Sequence, residues 1–238
     1  MIEKPKYVCI NCGHGVRDLH KNYSNTVKTT HCEQCKKVAD KYIEFEELII
    51  LLDALLLSQQ AFRHMIYNDS FKLYWKISLV LLLLESFALC RQRRDDESGS
   101  PVNEKSFYMC VLQNIGDYVF ITLLLLLVTT LRGGIKFPKA GLGSFTITLL
   151  KAVVISNLSK FFLLPILVWR NNTTDLGSQL HYMLVTSHNL CSLILAYEVV
   201  GASVSRKRWL TSLFVIGVFL LKEYLKLVAA RHSQNILA

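Results

Sequence analysis

The first thing missing from this chain is an apolar leader. Met1 to His20 is polar and has no hydrophobic segment of the kind a secretory signal needs, so no cleavable signal peptide is expected. Also missing is a basic face with interleaved aromatics. The 238 residues carry 27 Lys and Arg against 18 Asp and Glu, a net +9. These charges are scattered through the N-terminal segment and the connecting stretches, among them Arg91, Arg93, Arg94, Arg132, Lys136, Lys139, Arg206, Lys207 and Arg208. That placement speaks against nucleic acid as a partner and suits positive residues flanking membrane spans. A third absence is a cluster of acid, base and nucleophile. A lipid-modifying membrane enzyme, an acyltransferase or glycosyltransferase for example, needs one, and without it the expectation is a non-enzymatic protein.

What is present is hydrophobicity in blocks, 52% of all residues, lying mostly beyond residue 70. Ahead of the blocks stand two Cys-x-x-Cys pairs, Cys9/Cys12 and Cys32/Cys35, with nineteen residues between Cys12 and Cys32. Each pair offers two sulfurs from one tight turn, and two such turns complete a tetrahedral site. The spacing matches that of zinc ribbons. Gly13, directly after the first pair, suits a turn that needs positive φ. The alternatives are two disulfides, disfavoured if the segment is cytosolic, or a redox motif, which needs no second copy. Four thiolates leave no open coordination position, so zinc at Cys9, Cys12, Cys32 and Cys35 is expected to be structural. One site also excludes a RING-type ubiquitin ligase, which needs two. His14, His20 and His31 lie nearby and are expected at the surface or behind the ligands. Cys90, Cys110 and Cys191 read as small buried residues in or beside spans.

The organisation expected is a zinc-ribbon module over 1–42, an amphipathic interfacial helix over 43–68, and a transmembrane helical domain over 71–228. The fold class is thus a small N-terminal zinc ribbon followed by an all-α membrane domain of four to five spans, near 71–90, 111–131, 145–169, 181–204 and 209–228. The Leu48–Leu57 run is too short to cross a bilayer. Glu46, Asp53 and Gln60 recur every seven residues and predict one polar stripe turned to water. Arg91 to Lys105 reads as a linker. Loop charge favours a cytosolic N-terminus, against which Arg91, Arg93 and Arg94 stand as an exception. Asn171 and Asn172 begin overlapping glycosylation sequons close to the end of the third span.

Tyr7 to Asn68 resembles the homology domain of the Arv family. The resemblance is carried by the two cysteine pairs, then Val38-Ala39-Asp40-Lys41-Tyr42-Ile43-Glu44, then the Leu48–Leu57 run, then Ala61-Phe62-Arg63-His64 ending at Tyr67-Asn68. Leu149-Leu150-Lys151-Ala152 with Ser159-Lys160 and Leu164-Pro165 is similar to the family's third-span region. Ala39 and Phe62 depart from it, standing where a more polar residue and a Tyr are expected. The resemblance implies an endoplasmic-reticulum membrane protein, with the Golgi membrane as a second location, acting in sterol transport and distribution with effects on sphingolipid metabolism. Sterols and other membrane lipids are the implied partners, together with lipid-synthesis enzymes. An accessory role in glycosylphosphatidylinositol-anchor synthesis is the alternative.

Charges inside spans are costly and are usually paired or turned to a polar cavity. Lys151 near a span end can snorkel, and Glu223 lies within reach of Lys226. Glu85 and Lys160 are harder to dismiss and are candidates for lipid contact. Arg63 and His64 are further candidates: an interfacial helix would put the Arg63 guanidinium at lipid phosphates, the alternative being a salt bridge or a surface cap. His181 and His188 share a helix face, for which a structural role is expected.

Overall fold

In a computed structural model the described residues are 6–23, 26–96, 104–131, 141–165, 174–201 and 208–237. The N-terminal module is two hairpins. β1 (Tyr7–Val8) pairs antiparallel with β2 (Gly15–Val16), and β3 (His20–Tyr23) with β4 (Thr26–Thr29). Strands this short cannot hold a core by themselves. Their interior is Cys9, Val16, Leu19, Cys32 and Ala39, so two of the five residues are cysteines. The described residues here form a ribbon-like module.

The 43–68 segment is not one helix. A 3-10 turn over Tyr42–Glu44 leads to α1 (Glu47–Leu55), then α2 (Gln59–Arg63), then a π-turn over His64–Asn68. α1 ends where the Leu57 N–H reaches the Ala54 carbonyl and the Ser58 N–H reaches that of Asp53. Leu57 adopts φ 60, the left-handed cap position that glycine normally fills. Ser58, extended at ψ 114, then starts α2.

Of the expected polar stripe, Glu46 is exposed, whereas Asp53 and Gln60 are half-buried and turn inward. Asp53 accepts from the Tyr42 hydroxyl of the 3-10 turn, and Gln60 bonds the Asn11 side chain in the first cysteine turn. The face turned outward is apolar, with Leu48 65%, Leu52 51% and Leu56 80% exposed. Ala61, Phe62, Met65 and Ile66 are buried in one cluster with Phe145, Leu149, Ala152 and Val153. The homology segment therefore shares its core with the membrane helices.

Those helices are α3 (Lys72–Asp96), α4 (Glu104–Leu131), α5 (Gly141–Ser156), α6 (Asp175–Gly201) and α7 (Arg208–Leu237). α5 continues as a 3-10 segment, Asn157–Phe162. Among the described residues four helices are long and apolar enough to cross a membrane: Lys72–Arg91, Glu104–Leu131, Gly143–Pro165 and Gln179–Gly201. The chain is a multi-pass membrane protein. α7 packs on α4 and α6 but carries Lys222, Glu223 and Lys226 in its second half.

The Arg91–Lys105 linker is shorter than expected, because α3 runs on through Gln92–Asp96 and α4 already begins at Glu104. Gln and Arg are good helix formers, and the run holds no Gly or Pro. Cys90 and Cys110 are buried as expected, whereas Cys191 is exposed on the outside of α6. Asn171, Asn172 and the loop charges at 132, 136, 139, 206 and 207 lie outside the described residues.

Candidate metal centre and polar layer

Two turns of the same shape present the four cysteines. The Gly13 N–H bonds the Cys9 carbonyl, and the Lys36 N–H bonds the Cys32 carbonyl, each at 2.9 Å. Gly13 has φ 79 and Lys36 φ 61, so both residues directly after a Cys-x-x-Cys turn are left-handed. Gly13 takes that conformation freely and Lys36 against its Cβ.

The four Sγ atoms lie within 4.8 Å of one another, with Cys9–Cys35 at 3.7 Å and Cys12–Cys32 at 3.6 Å. A tetrahedron with metal–sulfur bonds of about 2.3 Å has edges of about 3.8 Å. The donor set thus fits a single tetrahedral ion, and four sulfurs select a thiophilic one. Burial opposes ionisation of Cys32, but the backbone N–H groups of Cys35 and Gln34 outweigh it and bring the thiol down to about 7. Cys32 therefore supplies thiolate near neutrality, whereas burial raises the thiols of Cys9 and Cys12. His14, His20 and His31 are exposed and lie outside the cluster.

Around the sulfurs a polar web ties the module to the helices behind it. Arg63 is 7% exposed, and its guanidinium donates 2.8 Å hydrogen bonds to the carbonyls of both Ile10 and Asn11, inside the first cysteine turn. Gln60 donates to the Asn11 side chain at 3.0 Å. Asp40 is fully buried and collects three donors: the Tyr42 backbone N–H at 2.9 Å, His64 Nδ1 at 2.7 Å and Asn68 Nδ2 at 2.6 Å. Asn68 also exchanges hydrogen bonds with both backbone groups of Val8. Arg63 and His64, read from sequence as headgroup contacts, sit in this web. Asp40, Asn11 and Asn68 carry no spacing in the sequence that marks this role, and Gln60 turns inward where the stripe predicted water.

The second site is deep in the helices. Lys160, on the 3-10 segment, forms an ion pair with Glu85 of α3 and lies over the Tyr118 ring of α4, with its ammonium 3.3 Å from the Tyr118 hydroxyl. The two span charges singled out by sequence are thus partners. Ser86 accepts a 2.8 Å bond from Asn114, next to them. Glu223 pairs with Lys222 at 2.8 Å, and the side chain of Lys226, the partner expected for it, lies outside the described residues. A notch in this layer is lined by Asn114, Asp117, Tyr118, Asn157, Lys160, Asn189 and Lys222. No sequence spacing brings these together, since they come from four separate helical segments. His188 has a structural place: its Nε2–H donates to the Leu55 carbonyl at 2.9 Å, and Phe162 packs on the ring.

With this geometry in hand, the sequence can be set beside known proteins. The profile of the Arv1-like family matches residues 8–193, which take in the cysteine module, α1, α2 and most of the span region. The chain belongs to the Arv1-like family. The mouse protein named Protein ARV1 is 30% identical over 227 residues, covering 91% of this chain and 80% of its own length. The human Protein ARV1 is 26% identical over 91% of this chain and 79% of its own. The Arabidopsis thaliana Protein ARV 2 is 35% identical over 105 residues, 41% of this chain and 46% of its own. No solved structure matches. Membership in the Arv1-like family covers both the metal centre and the polar layer up to Leu193, so neither is an appendage of the other.

Proposed function

We propose that this chain is a non-enzymatic endoplasmic-reticulum membrane protein that maintains sterol homeostasis, moving and distributing sterol among membranes with effects on sphingolipid metabolism. The observation that carries the reading is the family match spanning the cysteine module and the spans together. Zinc is the proposed ion, held by Cys9, Cys12, Cys32 and Cys35. It closes the module and leaves no coordination position for a substrate. The module is proposed on the cytosolic face, where reduced thiols persist. Support for a non-catalytic role comes from the polar web, whose charged and amide groups are spent on holding backbone.

The test is transfer of sterol between vesicles by the purified full chain in liposomes. Accelerated transfer without any lipid product supports the proposal. A lipid product made by the protein alone overturns it, and co-purification with a transferase of glycosylphosphatidylinositol synthesis, with no transfer in isolation, replaces it by the accessory role. Metal content of the same preparation tests the ion: one zinc per chain is expected, and none in Cys9→Ser.

A further inference from the structure

The notch in the polar layer has a size and a charge balance that together specify what it can take. Tyr118, Asn157, Asn189, Asp117, Lys160 and Lys222 are among the residues that line it, together with the apolar Ile121, Val153, Leu193 and Phe219. The space between them is about 20 Å3, room for one water-sized group. The two lysines do not amount to an anion site. Lys160 is held by Glu85 and Lys222 by Glu223, and Asp117 adds further negative charge. A phosphate is both too large for the space and repelled by that balance.

The layer also has a definite depth. Glu85 lies six residues before Arg91, where the apolar stretch of α3 ends, about 9 Å of helix at 1.5 Å per residue, and Lys160 is paired with it. At that depth an amide edge left facing hydrocarbon is costly, so the notch needs an occupant that hydrogen-bonds. Asn157 uses its amide N–H on the Val153 carbonyl. Asn189 makes no hydrogen bond among the described residues and is half-buried. A group that can accept from one wall and donate to another satisfies the site, and a hydroxyl does both. Water would serve equally, but a lipid hydroxyl repeats its hydrogen bonds while the lipid's apolar body stays in the surrounding hydrocarbon.

We propose that this notch binds the hydroxyl of an uncharged, hydroxyl-headed lipid, the shared chemistry of a sterol, a ceramide and a diacylglycerol, and rejects phosphate-bearing headgroups. The proposal rests on the lipid-homeostasis reading for its biological setting but not for its chemistry. Asn189 is the hydrogen-bonding residue that discriminates, because its side chain is not spent on holding its own helix.

The experiment uses the full chain in phosphatidylcholine liposomes with photoactivatable sterol, ceramide, diacylglycerol and phosphatidylcholine probes. Labelling by one or more of the three alcohols is expected on peptides around 114–118, 157–160 and 189, and the probe that labels identifies the source. The free alcohol should compete at least tenfold better than its methyl ether, a comparison that needs no variant. Asn189→Leu should cut labelling at least tenfold with metal content and elution volume unchanged. Equal labelling by the phosphatidylcholine probe, equal competition by the methyl ether, or full labelling of Asn189→Leu each overturns the proposal. If these results go against the notch while the chain still accelerates sterol transfer, only the site is lost. If labelling holds and transfer is absent, the homeostasis reading fails and the site stands.

Discussion

Arg63 donates a 2.8 Å hydrogen bond to the carbonyl of Ile10, fifty-three residues earlier in the chain. One charged side chain from the helical segment thus fixes the turn that presents Cys9 and Cys12. Hydrogen bonds from a buried charged donor contribute about 1.5–3 kcal/mol each. Arg63→Ala is expected to lower the stability of the module by about 2–4 kcal/mol and to speed zinc release to a chelator. Arg63→Lys should recover part of the loss, since both bonds come from the single nitrogen Nη1 and an ammonium carries enough donors to replace it. Zinc-release kinetics measure both. Release at the wild-type rate in Arg63→Ala would mean that the residue serves a ligand outside the protein.

The paired turns at Gly13 and Lys36 make opposite predictions for one conformation. A left-handed residue other than glycine costs roughly 1–2 kcal/mol. Lys36→Gly should therefore raise the unfolding midpoint of the module, by an amount near 1 kcal/mol after the added chain entropy is counted. Gly13→Val should lower it by more than that and weaken metal retention. Chelator titration of the two variants beside wild type gives the comparison.

Tyr42 supplies a pH dependence. Its hydroxyl donates to Asp53 at 2.6 Å, and burial, with that carboxylate alongside, pushes the phenol up to about 12 from an ordinary 10. A pKa raised by folding means that the neutral phenol is the form the fold favours. Its contribution is complete below pH 10 and is lost as pH rises through about 12. Wild type is expected to lose stability steeply across that interval in thermal melts. Tyr42→Phe should be less stable at pH 8 and show a flatter alkaline limb.

The Lys160–Glu85 pair joins the 3-10 segment to α3 within the membrane. Removing one member of a buried pair typically costs about 3–5 kcal/mol, whereas replacing both with apolar residues is often close to neutral. Glu85→Leu alone should lower the melting temperature in detergent markedly. The double variant Glu85→Leu with Lys160→Met should regain most of the loss. A double variant no more stable than the single one would show that Lys160 has its main role elsewhere in the layer.

The clustering of the four cysteines was legible in the sequence because a tetrahedral donor set calls for two such pairs at this spacing. The four spans were legible because crossing a bilayer sets both length and composition. The partners of Arg63, His64, Glu85 and Lys160 were not legible, since each is supplied by a segment 24 to 75 residues away in the chain. The break between α1 and α2 was hidden for a different reason. It turns on Leu57 in a conformation that leucine disfavours, where tertiary packing overrides local preference. Past that break, α2 lets Gln60 meet Asn11 in the first cysteine turn.

The Asp40 carboxylate and the Val8 backbone are completed only by Asn68, and Asn68 is followed within four residues by α3. A ribosome releases this chain from the N-terminus, so the sulfurs emerge long before the groups that lock their turns in place. By the time Asn68 is free, the first membrane helix is the next segment to leave the exit tunnel. Completion of the cradle around the sulfurs and entry of the chain into the bilayer thus fall in one narrow interval of synthesis. A chain stalled before residue 68 would hold its four thiols in a half-built cradle.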